Sequence, residues 1–163
     1  IEARIKFPGG KGTWPAFWMM GNSGNWPNCG EIDIMEHVGS IPNRASFALH
    51  TVEKNGTRGN NWHSTKMFDY SLADDFHTYA VEWAQEEKDG KDVIRFFVDG
   101  VQYAEQWEAK IDNNDSWPFN KPHFIILNLA IGGTMGGSVD DAIFNVPRIM
   151  YVDYVRVYQR KEK

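Results

Sequence analysis

The sequence predicts an all-β protein, a two-sheet antiparallel sandwich or jelly roll. Ten short strand-like runs are spaced along the chain, turn residues separate them, and no stretch has the period of a convincing amphipathic helix. A chain of 163 residues, 42% of them hydrophobic, is long enough to bury one sizeable core without cross-links. Short antiparallel strands without helices pack as sandwiches or jelly rolls.

The strands are predicted from alternating apolar and polar residues. The first run, residues 1–7, shows the pattern most clearly, because it places Glu2, Arg4 and Lys6 on the face opposite its apolar side chains. Asp99-Gly100 lies between two alternating runs and is the strongest hairpin signal. The predicted strands are residues 1–7, 16–20, 30–36, 45–52, 64–70, 78–83, 93–98, 102–107, 123–131 and 151–158. The other turn signals are Pro8-Gly9-Gly10, Asn28 with Gly30, Lys54-Asn55-Gly56, Asp89-Gly90 and Gly132-Gly133.

Charge and cysteine content exclude several classes of protein. The net charge is −5 and the basic residues are scattered, which argues against a nucleic-acid or anionic-membrane partner. Apolar runs such as residues 124–127 are strand-sized, and none approaches the length of a membrane span. With one cysteine, Cys29, no internal disulfide can form. The five histidines show no ligand spacing, so no metal cofactor is predicted for catalysis.

The aromatic content is high, at 14% of residues with seven tryptophans. These side chains can serve a β-rich core, or they can form a platform on which sugar rings stack. Composition alone leaves both interpretations open.

Three carboxylates lie within one predicted strand. Glu31 and Asp33 share a face of a regular strand, whereas Glu36 is five residues from Glu31 and belongs to the other face. An extra residue, Met35 or Ile34, would form a β-bulge and return Glu36 to the face of the other two acids. The segment therefore predicts three acids on one open face.

Such an arrangement fits glycoside hydrolysis, in which one carboxylic acid protonates the leaving oxygen and a second carboxylate attacks the anomeric carbon. The alternative is an acidic strand edge that is merely solvated. Trp14, Trp18 and Trp26 closely precede the acids, and this context favours a sugar cleft.

The motifs WPAFWMM at residues 14–20, Trp26-Pro27 and GEIDIME at residues 30–36 strongly resemble the laminarinase (endo-β-1,3-glucanase) branch of glycoside hydrolase family 16. Further segments that resemble this family, in its order, are residues 1–6, 75–77, 80–83, 97–100, 127–133 and 152–158. The resemblance implies a concanavalin-like jelly roll with a substrate cleft on its concave sheet, and one catalytic domain over residues 1–163. It also implies endo-acting, retaining hydrolysis of internal β-1,3 bonds in laminarin-type glucans through a covalent intermediate.

By this resemblance Glu31 is the nucleophile, Glu36 is the general acid/base, and Asp33 holds the nucleophile and tunes the shared protons. The extra Met35 matches the bulged form that is typical of β-1,3-glucanases. Two alternatives remain: a non-catalytic β-glucan-binding module on the same scaffold, and a family hydrolase of mixed-linkage β-1,3-1,4-glucan. Binding modules have usually lost the catalytic glutamates, and this chain keeps both.

The resemblance also implies substrate-binding residues. Trp14, Trp18 and Trp26 match tryptophans that shape glycone-side subsites, with core packing as the alternative role. His50 is expected to hydrogen-bond to substrate or to Glu36, or else to be structural. Asn128 is expected to reach the cleft floor, and His37 to face the core without a catalytic role.

Family domains carry strands ahead of the position of Ile1 that help complete both sheets and supply most ligands of a structural calcium site. Asp153 is the candidate calcium ligand in this chain, with a solvated or hydrogen-bonded side chain as the alternative. Either the chain is a fragment, or those strands come from elsewhere. The expected partner is a β-glucan polysaccharide or oligosaccharide. A monomer is expected unless another chain supplies strands, and the expected location is secreted, cell-surface or periplasmic.

Overall fold

Two antiparallel sheets of five strands each form a sandwich in the computed structural model, which describes residues 1–57, 60–73, 75–108 and 117–161. The strands are β1 (Glu2–Lys6), β2 (Thr13–Gly21), β3 (Glu31–Glu36), β4 (Arg44–His50), β5 (Trp62–Met67), β6 (His77–Lys88), β7 (Lys91–Val98), β8 (Val101–Trp107), β9 (His123–Ile131) and β10 (Tyr151–Arg156). Sheet I has the order β5-β4-β3-β2-β9, and sheet II has the order β10-β1-β6-β7-β8. The all-β, two-sheet prediction is therefore confirmed.

Two tight turns close the consecutive hairpins of sheet II. Asp99 and Gly100 both have positive φ angles, of 50° and 77°, and the flanking residues Val98 and Val101 are paired. Asp89-Gly90 repeats this arrangement between β6 and β7, with φ angles of 54° and 67°. Two residues in the left-handed region give the turn whose twist matches that of the strands, so the hairpin prediction at Asp99-Gly100 is confirmed.

Several strand boundaries differ from the predicted ones. β6 continues to Lys88, five residues beyond its predicted end, because residues 85–88 are polar and exposed and leave no alternating pattern to detect. β2 begins earlier than predicted, at Thr13. β5 begins and ends earlier than residues 64–70, and β10 ends at Arg156 rather than at residue 158.

The core lies between the two sheets. Phe47 of sheet I and Phe96 of sheet II have ring centroids 5.4 Å apart, and Trp62 stacks on Phe96 at 5.3 Å. The fully buried aromatic side chains are Phe7, Phe17, Phe47, Tyr79, Phe96 and Phe119. Each contributes roughly 1.5–3 kcal/mol by leaving water, so this layer determines which face of each strand turns inward.

The helical segments are short connections: α1 (Gly133–Gly136) and two 3₁₀ helices, Pro118–Asn120 and Asp141–Asn145. None of the helices in the described ranges has the length and apolar character needed to cross a membrane.

Candidate active site

A β-bulge interrupts the acidic strand β3. On β2, only Phe17 lies opposite the two residues Ile34 and Met35, and on β4 only Phe47 occupies the corresponding position. Both Ile34 and Met35 are fully buried in the core. The strand therefore turns two consecutive side chains inward, as a bulge with two residues opposing one does.

This bulge places the three acids on the open face of sheet I. Glu31 and Asp33 precede the two inward residues, and Glu36 follows them, so that all three turn away from the core. Asp33 is buried, at 3% exposure, while the two glutamates are partly exposed. The predicted bulge and the common face of the carboxylates are confirmed.

Glu31 is held by two aromatic neighbours. The indole Nε1 of Trp26 donates a hydrogen bond of 2.6 Å to Oε2, and Nε2 of His50 lies 3.7 Å from Oε1. The chain enters β3 through Gly30, whose φ is 82° and where a Cβ would lie 2.7 Å from Cγ of Pro118. Only glycine fits this position, because a side chain would meet both strain and a collision.

His50 joins β3 to the loop that follows β4. Its Nε2 lies 3.1 Å from Oδ2 of Asp33, and its Nδ1 lies 2.9 Å from the carbonyl oxygen of Asn55. Because a carbonyl can only accept, Nδ1 carries the proton of the neutral ring. The contact with Asp33 is therefore a hydrogen bond only when Nε2 also carries a proton.

The electrostatics of this pair favour such a proton. Burial alone would lower the pKa of His50, but the hydrogen bond to Asp33 and the charges of Asp33 and Glu31 outweigh it and raise the pKa to about 9. Burial raises the pKa of Asp33 well above its usual range; the hydrogen bond from His50 opposes this rise, and the charges of Glu36 and Glu31 add to it. Together the groups bind protons more readily than they would in water.

Glu36 lies at the other end of the acidic strand. Burial raises the pKa of its carboxyl, and the hydrogen bond that Oε1 accepts from Nε1 of Trp14, at 3.0 Å, opposes part of this rise. The charge of nearby Glu31 raises the pKa further. A carboxyl group in this state retains its proton closer to neutral pH.

The predicted substrate residues lie around these acids. Trp18 donates its indole N–H to Oδ1 of Asn128 at 2.7 Å, across the pairing of β2 with β9. Trp26 is 46% exposed, which leaves much of its ring accessible. The structure thus brings Trp14, Trp18, Trp26 and Asn128 to the same face of sheet I as the acids. Their contacts with substrate remain predictions.

The two remaining histidine predictions concern His50 and His37. Among the described residues, the carboxylates within 4 Å of His50 are those of Asp33 and Glu31. His50 acts on Glu36 through its charge and not through a hydrogen bond. His37 is fully buried, with its ring centroid 4.5 Å from that of Phe7, as its position in the strand predicts.

Asp153, the candidate calcium ligand, is paired with a basic side chain of the neighbouring strand. Oδ2 of Asp153 accepts a hydrogen bond of 2.8 Å from Nη1 of Arg4, so a cationic side chain already faces it. Within the described ranges, the group of side chains suited to a metal ion is Glu31, Asp33 and His50. Asp153 thus has the hydrogen-bonded side chain of the alternative role, and calcium binding there stays a prediction.

Sequence reasoning missed two features of the site. The first is that the indole N–H groups of Trp14 and Trp26 donate hydrogen bonds to Glu36 and Glu31, respectively. The second is the role of Asn55, whose backbone oxygen fixes the ring of His50. The turn signal Lys54-Asn55-Gly56 marked this loop, but nothing in it pointed to the histidine.

The family model described as glycosyl hydrolases family 16 matches residues 1–153. The chain belongs to this family. Among its relatives, this family 16 chain is 39% identical to the beta-glucanase of Rhodothermus marinus, in an alignment that covers 98% of the chain and 56% of that protein. The chain thus spans little more than half the length of that relative.

Two solved structures resemble this family 16 chain closely. The laminarinase from Flavobacterium sp. UMI-01 is 40% identical with a TM-score of 0.83, covering 97% of this chain and 65% of that one. The laminarinase catalytic domain from Thermotoga maritima MSB8 is 34% identical with a TM-score of 0.87, covering 99% of this chain and 63% of that one. The sandwich is therefore the jelly roll of family 16 laminarinases.

Proposed function

We propose that this chain hydrolyses internal β-1,3-glucosidic bonds of laminarin-type β-glucans, with retention of configuration at the anomeric carbon. The observation that carries the proposal is the bulge at Ile34 and Met35, because it sets Glu31 and Glu36 on one open face with Asp33 between them. Membership of family 16 and the names of the similar proteins support the reaction and the substrate class.

Glu31 is the proposed nucleophile. The hydrogen bond from Trp26 occupies Oε2 and orients the carboxylate, which leaves Oε1 to attack the anomeric carbon. As the bond from Oε1 to that carbon forms, the bond from the carbon to the leaving oxygen breaks, and a glycosyl ester of Glu31 results.

Glu36 is the proposed general acid/base. Burial raises the pKa of its carboxyl, so a proton is available for the leaving oxygen in the first step. The carboxylate then takes a proton from the water that attacks the anomeric carbon, and Glu31 is released. Two displacements at one carbon give net retention.

Asp33 and the tryptophans support this pair. Nε2 of His50 lies near both Asp33 and Glu31, so the proton that Asp33 shares with His50 limits the negative charge next to Glu31. Trp26, exposed beside the nucleophile, offers a face on which a sugar ring can stack, and Trp18 lies further along β2.

The test is release of reducing sugar from laminarin by the purified chain. We expect Glu36→Gln to lower the rate by about 10²–10⁴-fold and Glu31→Gln to lower it to the background. Glu82→Gln, an exposed glutamate on sheet II, is the matched control and should match the unaltered chain. Proton NMR of the first product should show the β-anomer. Full activity of either folded variant of Glu31 or Glu36 would remove that residue from the mechanism.

Mixed-linkage β-1,3-1,4-glucan is the second substrate in this assay. Faster release from it than from laminarin would reassign the linkage but keep the residue roles. Binding to laminarin without release of sugar would indicate a glucan-binding module. Since polysaccharides do not cross membranes unaided, we also propose that the protein acts outside the cytoplasm.

A further inference from the structure

Three potential metal-ligating atoms converge at one end of the acidic strand. One donor atom from each of Glu31, Asp33 and His50 lies within 4.8 Å of the other two. Nε2 of His50 is 3.1 Å from Oδ2 of Asp33 and 3.7 Å from Oε1 of Glu31. Ligand atoms around a tetrahedral ion with bonds of about 2.0–2.2 Å are separated by similar distances.

Asp33 supplies an independent reason to expect a cation. It is 3% exposed, and among the described residues no hydrogen-bond donor other than the ring of His50 reaches its Oδ2. Nδ1 of that ring lies 2.9 Å from the carbonyl oxygen of Asn55, so Nε2 is the ring nitrogen that faces this buried oxygen. A buried carboxylate oxygen needs a cation beside it, and the position next to Nε2 can hold one.

We propose that Glu31, Asp33 and His50 bind a divalent transition-metal ion of the Zn²⁺ class. One imidazole nitrogen with two carboxylate oxygens suits Zn²⁺, Co²⁺ or Cu²⁺ better than calcium, which prefers six or more oxygen ligands. A carbonyl oxygen on Nδ1 is the arrangement that orients most metal-binding histidines. On binding, the ion replaces the proton that Nε2 shares with Asp33, and this proton is released to solvent.

The ion would also inhibit the chain, and this part rests on the proposed function. Oε1 of Glu31 is both the proposed ligand and the proposed attacking atom, because Trp26 occupies Oε2. An oxygen whose lone pair is bound to a metal cannot attack the anomeric carbon. A bound ion and a sugar at the cleavage point therefore exclude each other.

Binding is tested by titrating the purified chain with ZnCl₂ in a calorimeter, and with CoCl₂ while visible absorbance is recorded. We expect one ion per chain and, for His50→Gln, at least about tenfold weaker binding. His63→Gln is the matched control, because His63 also turns Nδ1 toward a backbone oxygen, that of Asn61, but is exposed. Glu31→Gln is a second test variant, and circular dichroism checks that each variant is folded. Absence of saturable binding, or equal affinity in the chain and in folded His50→Gln, would overturn the site.

Inhibition is tested separately from binding. Zn²⁺ should lower the rate of laminarin hydrolysis over the concentration range in which it binds, and a laminarin oligosaccharide should displace Co²⁺ and abolish its absorbance. Binding of Zn²⁺ with an undiminished rate would refute the exclusion of substrate. A chain that binds Zn²⁺ but never hydrolyses laminarin would contradict the proposed function and leave the metal site standing.

Discussion

The indole N–H of Trp14 donates a hydrogen bond to Oε1 of Glu36 over 3.0 Å. This bond stabilises the charged carboxylate and so opposes the rise in the pKa of Glu36 that burial causes. A residue of β2 thereby helps to set the pH above which the proposed acid has lost its proton.

Replacing Trp14 by phenylalanine should therefore move the alkaline limb of the pH profile to higher pH. Without the N–H donor, the pKa of Glu36 rises, and the carboxyl stays protonated further into the alkaline range. The measurement is kcat/KM on laminarin as a function of pH.

The matched control for this change is Trp18→Phe, which removes an indole that donates to Asn128 rather than to an acid. The control can alter the rate, but its alkaline limb should coincide with that of the unaltered chain. Equal limbs for Trp14→Phe and the unaltered chain would show that this hydrogen bond does not tune Glu36.

The bulge makes a prediction about stability. Met35 is fully buried within it, so Met35→Ala should reduce the free energy of unfolding by about 2–5 kcal/mol through lost burial and the cavity left behind. Met67→Ala, at a methionine that is 51% exposed, should change it by less than about 0.5 kcal/mol. Urea unfolding measures both, and equal effects would contradict the inward orientation of Met35.

His37 should make the protein sensitive to acid. Burial lowers the pKa of its ring from 6.5 to about 4, while the hydrogen bond with the carbonyl of Arg44 opposes this shift. Between these two pH values the unfolded chain binds a proton at His37 and the folded chain does not. The free energy of unfolding therefore decreases as pH falls from about 6.5 to 4. The loss amounts to roughly 3 kcal/mol if the whole shift is realised.

The variant His37→Gln removes this titration. Its free energy of unfolding, measured in urea at several pH values, should fall less steeply between pH 6.5 and 4 than that of the unaltered chain. Parallel slopes for the two proteins would mean that another group causes the acid sensitivity. Comparing slopes rather than absolute stabilities cancels the contributions of Asp33 and Glu36, which both proteins share.

The bulge could be predicted from the sequence because, without it, the five-residue spacing from Glu31 would direct the side chain of Glu36 into the core. In a regular strand Glu36 would enter the core, where an unpaired carboxylate is far too costly, so an extra inward residue was the simplest solution. The strands themselves could be predicted for a similar reason, since alternation reports which side chains are buried.

The partners of these side chains could not be predicted in the same way. The hydrogen bond between Trp14 and Glu36 depends on the register of β2 against β3, and alternation gives the face of a residue but not its neighbour. The contact of His50 with Asn55 depends on how a loop folds back on the strand before it. The end of β6 at Lys88 could not be predicted, because its last residues are exposed on both faces and show no alternation.

The face to which odd-numbered residues point changes at the bulge in β3. Before the bulge odd-numbered residues such as Asp33 face outward, whereas after it the odd-numbered His37 faces the core. The strand therefore consists of two short segments in which the inward-facing positions alternate with opposite parity. Polar substitutions should therefore be poorly tolerated at both residue 34 and residue 35, and Glu31 and Glu36 lie on segments of opposite phase.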